Sequence, residues 1–146
     1  MANAIIGVAV GIYIAISAIG DGYYVFPIAA PIAAFTVGGL LWNRIVKDEF
    51  DTTKIVVTGL LTGTVSHYLT FVLLSIGMNI CYLTTGGCTG SLGDPPASIL
   101  SMLGGAFVFS LFSLLFFGWI TAPYSVIIGL LIKKLNKSKN VAQQQV

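Results

Sequence analysis

Few residues in this chain could do chemistry, and the most conspicuous is His67, its single histidine. An imidazole can exchange a proton near neutral pH or ligate a metal. His67 lies inside a run, 55–83, that contains no Asp, Glu, Lys or Arg. Wound at 100° per residue, this run puts Ser66 and Thr70 on the same side as His67, together with Gly59, Gly63 and Gly77. Val57, Leu61, Val65, Tyr68 and Val72 fall on the other side. An ionisable group within such a run marks a candidate intramembrane polar site: His67, Ser66 and Thr70. The alternative is a histidine that only hydrogen-bonds to a neighbouring helix, a contact worth roughly 0.6–2 kcal/mol. No carboxylate falls at the same depth in another apolar run, so no carboxylate-based proton relay is visible. One histidine without further ligands makes no metal centre, so neither a metal nor a cofactor is expected.

Cys81 and Cys88 are the other reactive pair. Their C-x6-C spacing is neither the redox C-x-x-C nor a common zinc pattern. It suits a structural disulfide across a short glycine-rich loop, worth roughly 2.5 kcal/mol in the loop-entropy account. The glycines between 86 and 93 superficially suggest a phosphate loop but lack its lysine. With no nucleophilic triad, paired carboxylates or nucleotide loop in view, the chain is not expected to be an enzyme.

The elements that must position these groups follow from composition. Hydrophobic residues make up 56% of the 146 and charged residues 8%, against about 25% charged in soluble domains. A soluble domain of this size exposes too much surface to hide that apolar content. The expected fold is an all-α integral membrane protein, a four-transmembrane-helix antiparallel bundle. Its helices are expected at about 4–20, 23–42, 55–80 and 95–132, followed by a polar cytoplasmic tail over 136–146 that is expected to be disordered. The Gly20-Asp21-Gly22 sequence favours a tight turn between the first two. Asp51 or Thr52 suits the N-cap of the third, and Asp94-Pro95 the start of the fourth. Gly118 and Pro123 predict a kink in that last, overlong segment. Small residues are placed for close helix packing at Gly7 and Gly11 in the first segment and at Gly59 and Gly63 in the third.

Four crossings put all seven basic residues on the side of the N-terminus. The positive-inside rule then makes both termini cytoplasmic, and both cysteines fall on the outer, oxidising side. The location expected is a bacterial inner (plasma) membrane. The net charge of +2 is too small to argue for nucleic acid. The functional expectation is a small polytopic protein that acts through helix–helix contacts, as an accessory, assembly or immunity-type subunit. Its partners would be the lipid bilayer and either a second copy or another membrane protein. The alternative is a small oligomeric transporter or channel with a polar path lined by His67, Ser66 and Thr70.

Overall fold

The computed structural model describes residues 2–17, 25–46, 50–89 and 93–143, and within these the chain is helical with no strand. Helix α1 spans Ala2–Ser17 and α2 spans Phe26–Leu41, the latter running on through a π-helical turn, Trp42–Val46. Helix α3 spans Thr52–Thr85. Helices α4 (Ile99–Ser113) and α5 (Trp119–Gln143) form one continuous rod joined by a second π-helical turn, Leu114–Gly118. Helix α1 packs on α2, α2 on α3, and α3 on both α4 and α5, while α1 also touches α5. Among the described residues, three helical stretches are long and apolar enough to cross a membrane: Phe26–Val46, Thr52–Thr85 and Ile99–Ser138. Helix α1 has 16 described residues, about 24 Å of rise, against a hydrocarbon core of about 30 Å.

Local chemistry sets the boundaries. Asp51 caps α3, its side chain accepting the Lys54 N–H at 3.2 Å. At the other end Gly86 takes a left-handed conformation, φ 68°, and its N–H returns to the Tyr82 carbonyl at 2.9 Å. That geometry favours glycine, which has no Cβ to clash. One residue pair beyond, Cys88 lies at disulfide distance from Cys81, with Cα atoms 5.9 Å apart. The fourth apolar segment begins at Ile99, not at the predicted Asp94-Pro95. Consecutive prolines explain the shift: Pro95 and Pro96 each hold the residue before them out of the α region. Helix α5 also runs on to Gln143, past the end at 132 expected from the apolar run; Lys, Leu, Ala and Gln are good helix formers. The predicted turn at Gly20-Asp21-Gly22 lies outside the described residues, as do 144–146.

Close backbone approach sets the packing. A Cβ placed on Gly11 would lie 2.7 Å from Pro27 Cα, and one on Gly7 would lie 2.9 Å from Pro31 Cα. The two glycines and the two prolines are each one turn apart, so α1 and α2 run antiparallel with their backbones nearly touching. Between α3 and α5 a Cβ on Gly59 would lie 2.7 Å from Val126 Cα, and one on Gly63 would strike the Ala122 backbone. Gly129 repeats the device one turn further on, with Ile55 Cγ2 2.6 Å from where its Cβ would stand. All four glycines that the sequence marks for packing therefore face neighbours within the same chain.

Helix propensity and packing pull in opposite directions at these positions, which gives a test. Gly77 has nothing within 4 Å of an added Cβ, so Gly77→Ala should stabilise the protein by up to about 1 kcal/mol through propensity alone. Gly63→Ala should instead destabilise it by about 1–3 kcal/mol, because a backbone neighbour must move. Unfolding of both variants in mild detergent, read by circular dichroism, checks the difference in sign.

Candidate functional site

His67 sits near the middle of α3, and only 8% of its surface is exposed. Both ring nitrogens meet hydroxyls of the opposite rod. Nδ1 lies 2.7 Å from Ser113 Oγ, the last residue of α4, and Nε2 lies 3.0 Å from Thr121 Oγ1 in the first turn of α5. Thr121 in turn has two carbonyls within reach, Phe117 at 3.1 Å and Gly63 at 3.3 Å. A hydroxyl has one proton to give. If Thr121 spends its proton on a carbonyl, its oxygen must accept from Nε2–H, and Nδ1 is left to accept from Ser113. In that arrangement the neutral ring carries its proton on Nε2, and the hydrogen bonds run in one direction, from Ser113 through His67 and Thr121 to the backbone.

The π-helical turn makes this possible. Ser113 and Thr121 are eight residues apart, and on a regular α-helix eight steps of 100° leave them about 80° apart around the axis. A π turn inserts one extra residue. The pair then behaves like residues seven apart, about 20° from alignment, and both face α3. Pro123 lies just beyond this turn and has no N–H to offer the Trp119 carbonyl, so regular hydrogen bonding is broken where the register changes. The sequence predicts a kink from Gly118 and Pro123; the structure has a register shift that begins at Leu114 and ends at Gly118.

Beside the imidazole is a cavity of about 40 Å³. Its polar wall comes from α3 (Thr62, Ser66, His67, Thr70) and from the α4–α5 rod (Ser113, Thr121, Ser125). Its apolar wall comes from α1 and α2, including Ile6, Val10, Ala30 and Ala34. Phe71, one turn from His67, also lines it and is held between Phe26 of α2 and Phe109 of α4, at centroid distances of 5.7 and 5.8 Å. No charged side chain among the described residues lines the cavity. No three His, Cys, Asp or Glu side chains among the described residues come together as a metal site would require.

Of the residues named from sequence, Ser66, His67 and Thr70 all reach this cavity. Only His67 is seen bonding across to another helix, for Thr70 Oγ1 donates to the Ser66 carbonyl of its own helix at 2.7 Å. Cys81 lies 14 residues along α3, about 21 Å away, and takes no part. Ser113, Thr121, Thr62 and Ser125 were not anticipated. Thr62 had a signal, since Thr58, Thr62, Ser66 and Thr70 recur every four residues. Ser113 and Thr121 had none, because regular helical spacing leaves them about 80° apart and does not align them on one partner.

The cross-link predicts a graded response to substitution. His67→Leu leaves Ser113 without its buried acceptor and should cost about 1–3 kcal/mol. His67→Gln keeps one donor and one acceptor at the end of the side chain, and should recover at least half of that loss. Detergent-solubilised unfolding curves of the two variants provide the comparison.

The chain matches no protein-family model, no curated protein and no solved structure.

Proposed function

We propose that this protein is a four-span membrane bundle of a bacterial inner (plasma) membrane, with both termini in the cytoplasm. We further propose that it acts without catalysis, through its helix faces, as an accessory, assembly or immunity-type subunit. One observation carries this reading: the imidazole at mid-helix depth has both nitrogens engaged by hydroxyls of its own chain. An ionisable group so occupied is a joint between helices. The many exposed leucines, isoleucines and phenylalanines, such as Leu100, Phe107, Leu115 and Phe116, suit lipid or the apolar faces of partner membrane proteins.

The charge distribution supports the orientation. Lys133 Nζ donates to Thr52 Oγ1 at 2.6 Å, so the distal part of α5 and the start of α3 share one end of the bundle. Arg44, Lys54, Lys134 and Lys137 belong to the same end, while Asp94 and the cysteine pair belong to the other. An excess of Lys and Arg on one side is the mark of the cytoplasmic face. The alternative, a small transporter or channel, is favoured by the hydroxyl-lined cavity beside His67.

Two measurements test these readings. In a background lacking Cys81 and Cys88, cysteine at Asn43 should resist a membrane-impermeant thiol reagent in intact cells, and cysteine at Ala97 should react; the reverse pattern inverts the topology. His67→Gln, an amide that cannot titrate near neutral pH, should retain at least half of the activity seen by complementing a deletion strain. A well-folded glutamine variant that fails to complement would favour proton-coupled transport over the contact role.

A further inference from the structure

We infer that the cavity beside His67 is a hydration site, in which bound water joins Thr62 to the imidazole–hydroxyl chain. The inference stands whether the protein acts through contacts or as a transporter. The first observation is size. About 40 Å³ exceeds the 10–15 Å³ that one water requires on this measure, and leaves room for about two or three.

The second observation is chemical. Most of the surface lining the cavity is apolar, but the wall supplied by α3 and the α4–α5 rod sets hydroxyls and an imidazole together on one side, with no charged side chain among the described residues, and that side suits a neutral molecule that both donates and accepts. A bound cation would lack a carboxylate to balance it. A hydrocarbon occupant would leave Ser66 and Ser125 facing an apolar surface. A wholly apolar cavity stays dry, whereas water is held where two to four polar partners converge, as they do on this one wall.

The third observation is Thr62 itself. It lines the cavity but is only 1% exposed, and its Oγ1 has no hydrogen-bond partner within the chain and lies out of reach of water in its present rotamer. A buried hydroxyl in that position costs free energy until it is paired. Threonine has two accessible χ1 wells in a helix, so this hydroxyl can turn to the cavity and bond water there. Thr58, one turn below, also has an unpartnered buried hydroxyl but does not line the cavity. It serves as an internal control: water in the cavity satisfies Thr62 and leaves Thr58 as it is.

The single histidine makes the test direct, because selective ¹⁵N-histidine labelling reports on one site. In lipid-reconstituted protein, water-edited solid-state NMR should show magnetisation passing from water to the His67 ring nitrogens within milliseconds. Thr62→Val should slow that build-up at least twofold. Thr62→Ser, which keeps the hydroxyl, and Thr58→Val, which removes one outside the cavity, should leave it within about a fifth of the wild-type rate. No build-up in the wild type would mean that the cavity is dry and overturns the proposal. So would an equal build-up in Thr62→Val, and so would a slowing in Thr58→Val as large as in Thr62→Val.

Discussion

The structure depends on one polar joint in an apolar interior: His67 of α3 held between Ser113 and Thr121 of the facing rod. Apolar contacts between helices in a hydrocarbon setting are non-specific, since lipid tails are as apolar as leucine. A hydrogen-bonded imidazole is different, because it has one geometry in which both nitrogens are satisfied. It therefore sets the height of α3 against α4 and α5. The price is local irregularity, for the rod must change its helical register to present both hydroxyls. That register change falls between the two residues it aligns.

Around this joint the helices are drawn together by missing side chains. Gly59 and Gly63 let the α5 backbone approach α3 just below His67, and Gly7 and Gly11 let α2 approach α1. Dispersion attraction falls away steeply with distance, so backbone-to-backbone contact yields more of it than contact through bulky side chains would. The joint and the seams reinforce each other. The Gly63 carbonyl, exposed to α5 by the lack of a side chain there, is one of the acceptors within reach of Thr121.

Much of this was legible in the sequence. Apolar run lengths gave the helices, and small-residue spacing gave the faces of α1 and α3 that pack. The position of His67 between Gly63 and Thr70 gave its inward direction. Boundaries that depend on local chemistry were read unevenly: Asp51 was recognisable as a cap, but the paired prolines at 95 and 96 outweighed the capping potential of Asp94. The partners of His67 were not legible, because Ser113 and Thr121 come into line with each other only after an extra residue has been accommodated. Periodicity assumes a uniform 3.6 residues per turn, and it fails where the helix departs from it. Proline at 123 and glycine at 118 pointed to a disturbance without indicating its kind.

The register shift also has a bearing on how distant relatives would look. A related chain that preserved the histidine joint on a regular helix would need its two hydroxyls seven residues apart. One that preserved the π turn would need eight, as here. A single-residue deletion between 114 and 118 is thus not a neutral event: it shortens the spacing of the pair from eight to seven and at the same time removes the need for the π turn. Alignments that force Ser113 and Thr121 onto a fixed column spacing would miss such relatives, whereas a search allowing either spacing opposite a mid-helix histidine would find both.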